Sequence, residues 1–214
     1  MTNQEAGSDR AVGTVFTERL RLEPITADHA ADLWVVHNDE QVAPWYEGWK
    51  PTPDEALERA TAMAAAWQHL GVHKWMAYHC GTGELVGRGG PSMTPADDDW
   101  GRVNDLLPQQ PWVRETRVGE RGGLVHANWV EIGWALRRQF WGHGYATEIG
   151  RAGLAYSFDE LGMQAVVSCT GRDNGKSRAV MERIGMVYAG TLEDLGGGAD
   201  LTVHILLRSQ RQQT

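Results

Sequence analysis

The stretch that decides the fold is Arg138-Gln-Phe-Trp-Gly-His-Gly-Tyr-Ala-Thr147, which lies between a predicted strand and a predicted helix. Gly142 and Gly144 lack side chains and permit positive φ, so a ligand can approach this backbone closely. The helix that follows directs unsatisfied N–H groups and a partial positive charge to the same place. Arg137 and Arg138 add cationic donors. The stretch therefore predicts an anion site suited to a pyrophosphate.

Hydrophobic periodicity and turn signals predict a mixed order of strands and helices around this loop. The predicted strands cover residues 14–22, 75–80, 85–91, 129–136, 164–170, 186–190 and 201–208. The predicted helices run from about 28 to 38, from Thr52 to Gly71, from 145 to 161 and from about 176 to 184. This order predicts an α/β or α+β sheet of about seven strands with helices on both faces.

The domain organisation follows from length and composition. A chain of 214 residues suits one domain, predicted over residues 11–210 after a polar tail at 1–10. Residues 92–128 are rich in Asp, Gly and Pro, and we interpret them as an insertion. No run reaches the roughly 18 apolar residues of a membrane helix, and the N-terminus has no apolar leader. These features predict a cytoplasmic protein without a membrane partner.

Charge and cysteine content exclude some classes of ligand. The net charge of −8 argues against a nucleic-acid partner and is compatible with a cationic amine substrate. Cys80 and Cys169 lie in apolar runs and are interpreted as buried free thiols. The histidines lack metal-ligand spacing, so no metal site is predicted.

The glycine-bearing loop resembles the signature of the GNAT superfamily of acyl-CoA N-acyltransferases. That signature is Arg or Gln, two residues, Gly, one residue, and Gly or Ala, and Gln139, Gly142 and Gly144 match it. Glu131-Ile-Gly-Trp134 resembles the preceding strand in the branch of ribosomal-protein N-terminal acetyltransferases. A second group of segments is similar to other motifs of that branch: Asn174 with Ser177, Met181–Met186 and Phe16–Leu22.

The resemblance implies a twisted mixed sheet in which two parallel strands, here 129–136 and 164–170, splay apart around acetyl-CoA. It implies direct attack of a primary amine on the thioester, with the pyrophosphate on the loop. The residues expected to contact coenzyme A are Trp134, Ala135, Leu136, Arg137, Gln139, Trp141, Gly142, His143, Gly144, Tyr145, Ala146, Thr147, Asn174 and Lys176.

Glu131 is the candidate general base. It shares one strand face with Gly133 and Ala135, which leaves room for a ligand beside a single carboxylate, and burial there disfavours the charged form. The alternative is a structural carboxylate, at the sheet edge or paired with an arginine. Ser177 is the candidate proton donor, because Met181 stands where many GNAT enzymes have a tyrosine acid.

Two residues of this turn have alternative interpretations, and a further acid is open. Ser177 would otherwise be a first-turn helix cap. Asn174 would either contact the pantetheine arm or order the turn. Tyr188 is a further candidate acid.

The acceptor site is predicted to lie between the loop at 39–51 and the insertion. Trp45, Tyr46 and Trp49 would cover the apolar part of an acceptor. Acidic residues would attract a cation: Asp97, Asp98, Asp99, Asp105 and Glu115. A protein N-terminus, a polyamine or amino sugar and an aminoglycoside-like antibiotic are open as acceptors. The insertion would otherwise serve a homodimer contact, and a non-catalytic acyl-CoA-binding sensor on the same fold is the alternative function.

Overall fold

The computed structural model describes residues 13–46, 48–94, 98–106, 129–195 and 199–211. The predicted tail at 1–10 and most of the predicted insertion lie outside the described residues. Within the described ranges, none of the helices combines the length and the apolarity that crossing a bilayer would require.

Eight strands form one open mixed sheet in the order β1-β2-β3-β4-β5-β6-β8-β7. The strands are β1 (Val15–Phe16), β2 (Leu20–Pro24), β3 (Trp75–His79), β4 (Leu85–Met93), β5 (Val130–Leu136), β6 (Ala165–Gly171), β7 (Val187–Leu195) and β8 (Ala199–Leu207). Strands β5 and β6 pair in parallel, and the other neighbours pair antiparallel. The predicted fold class is confirmed.

The eighth strand arises where one strand was predicted over 14–22, and that prediction is wrong. The chain turns after Phe16, because the Thr17 hydroxyl accepts a hydrogen bond from the Leu20 N–H at 3.0 Å and the Thr17 N–H donates to the Leu20 carbonyl at 2.9 Å. The two short strands then pair antiparallel, with Val15 opposite Leu22.

In the described ranges, four helices of at least two turns accompany the sheet: α1 (Ala30–His37), α2 (Pro53–Leu70), α3 (Tyr145–Ala155) and α4 (Gly175–Arg183). Helix α2 begins with the expected capping box, in which the Glu55 N–H donates to the Thr52 hydroxyl at 3.3 Å. It ends at Gly71 in a left-handed conformation with φ of 68°. Helix α3 continues into a π-helical turn over Tyr156–Glu160.

The helices cover both faces of the sheet. Alternation along β4 directs Arg88 toward His37 of α1, with Arg88 Nε 2.8 Å from His37 Nε2. A Cβ added to Gly89 would lie 2.7 Å from Ile149 of α3 on the opposite face. Helix α4 packs beside α3, since Met181 shares a core cluster with Phe158. We call the two sides the α1 face and the α3 face.

Part of the predicted insertion belongs to regular structure. Ser92 and Met93 pair with Glu131 and Val130 as the end of β4, so these two residues belong to the sheet. Helical turns cover 98–106, where Val103 packs in a core cluster with the indole of Trp129.

Candidate functional site

A cleft of about 2660 Å³ opens where β5 and β6 separate. These strands share one paired register, Glu131 opposite Val167, and the Ser168 hydroxyl donates to the Ile132 carbonyl at 2.7 Å. Twelve of the fourteen residues expected to contact coenzyme A line the cleft: Trp134, Ala135, Leu136, Trp141, Gly142, His143, Gly144, Tyr145, Ala146, Thr147, Asn174 and Lys176. Most of the residues selected from the sequence therefore lie together on the wall of one cleft.

Arg137 and Gln139 do not line that surface. The Arg137 guanidinium donates through Nη1 to the Leu85 carbonyl at 3.1 Å, so it connects β5 to the start of β4. Gln139 is exposed within a 3₁₀ turn. Gln139 of the signature therefore lies at the protein surface. The Arg137 guanidinium binds a backbone carbonyl of the sheet and does not face the cleft.

The loop has the geometry of an anion site. Gly142 and Gly144 have φ of 79° and 83°, and a Cβ added to Gly142 would have no atom within 4 Å. Among the described residues, no backbone or side-chain acceptor receives the N–H groups of residues 142–147. These donors lie at the N-terminus of α3, where the helix dipole favours an anion. The loop therefore fits the pyrophosphate of a coenzyme.

Arg19, which the sequence did not single out, holds this loop in place. Its Nη1 donates to the His143 carbonyl at 2.9 Å, and its guanidinium lies 4.5 Å from the Tyr145 ring centroid. Its Nη2 is 2.7 Å from Glu148 Oε2, and the Thr17 hydroxyl donates to the same carboxylate at 2.5 Å. Burial raises the pKa of Glu148, but the hydrogen bonds from Thr17 and Arg19 outweigh it and lower this pKa overall.

Trp141 places two cations beside the loop. Its indole N–H donates to the Leu136 carbonyl at 2.7 Å, which fixes the ring at the end of β5. Arg138 lies 5.0 Å from the ring centroid and Lys176 lies 4.6 Å from it. The positive charge expected near the loop is therefore supplied by Arg138 and by a lysine from α4.

Glu131 lines the cleft but is not an isolated carboxylate. Its Oε2 is 2.5 Å from Lys74 Nζ, which also donates to the Gly90 carbonyl at 2.9 Å. Burial lowers the pKa of Lys74, and the charge and hydrogen bond of Glu131 act against this shift. The paired alternative is therefore what the structure shows, with a lysine in place of an arginine.

The two cysteines have different environments. Cys169 is half-buried and lines the cleft near this pair, and its removal from bulk water, with a further contribution from the Glu131 charge, raises the pKa of its thiol well above the ordinary value. Cys169 is therefore held as a neutral thiol. Cys80 is exposed, so the prediction that it is buried is wrong.

In the turn before α4, the side chains of Asn174 and Ser177 have different surroundings. Asn174 is the N-cap, since its Oδ1 accepts from the Ser177 N–H at 3.1 Å. The Ser177 side chain lines the cleft, and no partner for its hydroxyl is present in the described part of the chain. Asn174 therefore orders the turn, and the Ser177 hydroxyl is available to a ligand.

The positions considered for an acid differ in their surroundings. Met181 is 1% exposed and packs in the core on the α3 face, so its side chain is not part of the cleft wall. Tyr188 is 60% exposed, and its hydroxyl is 2.9 Å from Thr191 Oγ1, outside the cleft. Of the residues considered as acids, Ser177 alone lines the cleft in the described structure.

The aromatic residues expected at the acceptor site line the α1 face of the cleft, together with two arginines. The aromatic residues are Trp45, Tyr46 and Trp49. Arg88 lies 5.1 Å from the Tyr46 ring centroid, and Arg59 lies 4.8 Å from that of Trp49. Arg59 is at the rim, where the cleft wall shields it enough to lower its pKa, and the charge of Arg88 adds to this effect.

The buried imidazole behind these rings is neutral. Burial, followed by the charges of Arg88 and Arg59, lowers the pKa of His37 to about 2. His37 Nε2 accepts from Arg88, which leaves the imidazole proton on Nδ1. The imidazole therefore orients a guanidinium without adding charge.

The carboxylates predicted to attract a cation are not found beside these rings in the described structure. Asp105 is exposed and does not line the cleft. Asp97 and Glu115 lie outside the described residues, as do the side chains of Asp98 and Asp99. The described residues beside these rings include Arg59 and Arg88 instead, a pattern that composition and net charge gave no reason to expect.

Comparison with known proteins gives the same assignment as the loop. Residues 19–187 match the family described as Acetyltransferase (GNAT) domain. The protein YkkB of Bacillus subtilis is 29% identical over 184 residues, which cover 83% of this chain and 87% of YkkB. The FsC-acetyl coenzyme A-N(2)-transacetylase of Aspergillus fumigatus is 29% identical over 185 residues, covering 85% of this chain and 68% of the relative.

The fold is shared with solved acetyltransferases. The crystal structure of ribosomal-protein-S5-alanine acetyltransferase from Vibrio fischeri superimposes with a TM-score of 0.65 at 14% identity. The superposition covers 94% of this chain and 99% of that one.

Proposed function

Because the chain belongs to the GNAT acetyltransferase family, we propose that it transfers the acetyl group of acetyl-CoA to a primary amine. The main support is the cleft between β5 and β6, which has the anion-binding loop and the Glu131 carboxylate on one continuous wall. One ligand can therefore extend from the N-terminus of α3 to a titratable group.

The proposed position of acetyl-CoA follows from the charges and donors of the cleft. The pyrophosphate accepts hydrogen bonds from the N–H groups of residues 142–147, and Arg138 and Lys176 add positive charge beside Trp141. The pantetheine arm then enters the gap where β5 and β6 separate, and the thioester lies near Ser177.

The proposed reaction is direct attack of the amine on the thioester carbonyl carbon. A C–N bond forms, the C–S bond breaks, and the amine proton passes to Glu131, directly or through a water molecule. The thiolate takes up a proton, for which the Ser177 hydroxyl in the cleft wall is the candidate, as donor or as ligand of a water. Lys74 holds the Glu131 carboxylate in position through a contact of 2.5 Å between Nζ and Oε2.

The acceptor is proposed to be a protein or peptide N-terminus or a small amine. The motifs of the second half are similar to those of ribosomal-protein acetyltransferases, and the Vibrio fischeri enzyme of that description shares the fold. The Aspergillus relative is named for acetyl transfer to a nitrogen of FsC. These relatives support acetyl transfer to nitrogen. The residues on the α1 face of the cleft would then select which amine accepts the acetyl group.

A non-catalytic acyl-CoA-binding sensor on the same fold is the second candidate. The observation that favours it is Met181, a buried core residue at the position where many relatives have a tyrosine acid. A sensor would bind acetyl-CoA through the same loop without releasing free thiol.

Turnover separates the two functions. The protein is mixed with acetyl-CoA and a panel of primary amines, and free coenzyme A thiol and acetylated amine are measured together. Acetyl transfer predicts equal amounts of the two products, dependent on both substrates. Tight binding of acetyl-CoA without thiol release across the panel would instead support the sensor.

A further inference from the structure

In the described part of the chain, the two arginines on the α1 face of the cleft have no matching anion. Arg88 is 5% exposed, lines the cleft and lies against the Tyr46 ring, while Arg59 lies at the rim over Trp49. Among the described residues, no carboxylate forms an ion pair with either guanidinium. Burying the Arg88 guanidinium without a counter-ion costs free energy. An anion that enters from the cleft and binds Arg88 would offset this cost.

The hydrogen bond to His37 leaves the binding edge of Arg88 free. Arg88 donates through Nε to His37 Nε2 at 2.8 Å, and the neutral imidazole behind it supplies no negative charge. In the described structure the terminal nitrogens of Arg88 have no hydrogen-bonded partner. The planar fork is therefore oriented from behind, and its terminal N–H groups suit the paired oxygens of a carboxylate or a phosphate.

The position of Arg88 connects this fork to the proposed chemistry. Arg88 pairs with Ala135 across β4 and β5, and Ala135 shares a strand face with Glu131. The Arg88 charge also lowers the pKa of Lys74, the partner of Glu131. A molecule held by Arg88 therefore lies on the same face of the sheet as the proposed base.

We propose that Arg88 and Arg59 bind an anionic group of the acceptor, so that the acceptor is a small amine with a carboxylate or a phosphate. Trp45, Tyr46 and Trp49 contact the apolar body of this molecule, and its amine is directed toward Glu131. The inference rests on the proposed acetyl transfer and narrows its substrate class. It disfavours polyamines and aminoglycoside-like acceptors, which are cationic and would meet like charge at both arginines.

Matched acceptors test the anionic group. Phenylalanine, tryptophan and methionine are each offered as the free acid, the carboxamide and the aminophosphonate, with acetyl-CoA saturating. The expected kcat/KM for the acid or the phosphonate exceeds that for the carboxamide by about tenfold or more, because hydrogen bonds to charged groups are lost in the carboxamide. The acid-to-phosphonate ratio then identifies which anion the fork prefers.

Variants of the two arginines assign that preference. Arg59→Gln should lower the acid-to-carboxamide ratio several-fold and leave the KM for acetyl-CoA unchanged. Arg172→Gln is the matched control, because Arg172 is exposed, pairs weakly with Asp200 at 3.8 Å and does not line the cleft. Arg88→Lys keeps the buried charge but lacks the planar fork, so it should reduce the ratio while the melting temperature reports whether the fold is retained.

Three outcomes would overturn the inference. Equal kcat/KM for acids and carboxamides, with turnover present, would remove the anionic acceptor and leave acetyl transfer standing. An increased KM for acetyl-CoA in Arg59→Gln, with the acid preference intact, would assign the arginines to the coenzyme. If no amine is turned over, the proposal of acetyl transfer fails. The anion site is then tested separately, by titrating the protein with the acids and the carboxamides in the presence of coenzyme A and following tryptophan fluorescence. Equal Kd values for acids and carboxamides would then reject it.

Discussion

At the residue scale, the floor of the cleft is an ion pair between Glu131 and Lys74. The Lys74 side chain is 8% exposed and that of Glu131 is 17% exposed, so each charge depends on the other for compensation. Lys74 also donates to the carbonyls of Gly90 and Glu131, which fixes its ammonium group between β4 and β5. The proposed base is therefore positioned by a cation that comes from outside its own strand.

Breaking this pair from either side should reduce both stability and activity. Glu131→Gln leaves a buried ammonium without a counter-ion, and Lys74→Met leaves a buried carboxylate. We expect each variant to lower the free energy of unfolding by about 3 kcal/mol. Glu131→Gln should also lower kcat by about a hundredfold, the typical effect of losing a general base. Denaturant unfolding and thiol release measure the two effects.

The double variant Lys74→Met/Glu131→Gln is the control for this prediction. Because it removes both charges, its loss of stability should be clearly smaller than the sum of the single losses. Its activity should stay low, since the carboxylate is still missing. Additive stability losses, or unchanged turnover in Glu131→Gln, would contradict the role given to the pair.

The sequence could locate Glu131 but not its partner. Period-two alternation over residues 129–136 identifies the strand face, and the following loop identifies the cleft. Lys74 is separated from Glu131 by 57 positions, and the two meet only because β4 lies between β3 and β5. No local sequence pattern encodes a contact between positions so far apart. Lys74 could therefore not be identified from the sequence as the partner of Glu131.

At the element scale, the loop before α3 combines an open backbone with a rigid anchor. Gly142 and Gly144 have positive φ and an open approach, and Arg19 connects the loop carbonyl of His143 to Glu148 in the first turn of the helix. The donors are therefore preorganised by the β1–β2 turn as well as by α3. The glycines were predictable from spacing, whereas the anchor depends on the contact between α3 and the β1–β2 turn.

A methyl group at Gly142 should interfere with the ligand more than with the fold. In Gly142→Ala, the φ of 79° is strained by about 1 kcal/mol, but the added Cβ meets no protein atom within 4 Å. The methyl group would occupy the space that the proposed pyrophosphate site requires. We expect the KM for acetyl-CoA to rise by at least about tenfold, equivalent to about 1.4 kcal/mol.

Gly71→Ala is the matched control for that substitution. Gly71 has φ of 68°, equally open surroundings and a position at the end of α2, outside the cleft wall. It should lose similar stability and keep the KM for acetyl-CoA. Equal KM values in the two variants would show that the loop does not contact the coenzyme.

The Glu148 anchor predicts a specific dependence of stability on pH. The pKa of Glu148 is lowered in the folded protein, so its stabilisation is complete above the ordinary glutamate pKa of about 4.3. It is lost as the pH falls further toward the folded-state value. Glu148→Gln should therefore be less stable than the wild type by about 1 kcal/mol at pH 7, with the gap closing below about pH 4. Denaturant unfolding at both pH values measures this, and a gap that persists at low pH would exclude the ion pair as its cause.

At the scale of the whole molecule, the cleft divides into two sides with different origins. The proposed coenzyme side is formed by β5, the loop, α3 and α4, whose motifs are local in the sequence. The proposed acceptor side is formed by the α1–α2 segment, Arg59 of α2 and Arg88 of β4, which converge only in the folded sheet. The first side was therefore largely predictable from sequence, and the cationic character of the second was not.

Net charge was a poor guide to the acceptor for the same reason. The chain has a net charge of −8, yet the described acceptor wall presents two arginines without carboxylate partners. A binding site responds to the few charges at its surface, because distant exposed charges are screened over about 10 Å at ordinary salt. The acidic composition therefore describes the outer surface and not the cleft.

A structure of the protein with bound coenzyme A is the sharpest test of acetyl transfer at this cleft. We expect the pyrophosphate within hydrogen-bond distance of the N–H groups of residues 142–147, flanked by Arg138 and Lys176. We also expect the sulfur between β5 and β6, close to the Ser177 hydroxyl and open toward Glu131. A pyrophosphate bound elsewhere, or a sulfur separated from Glu131 by packed side chains, would contradict acetyl transfer at this cleft.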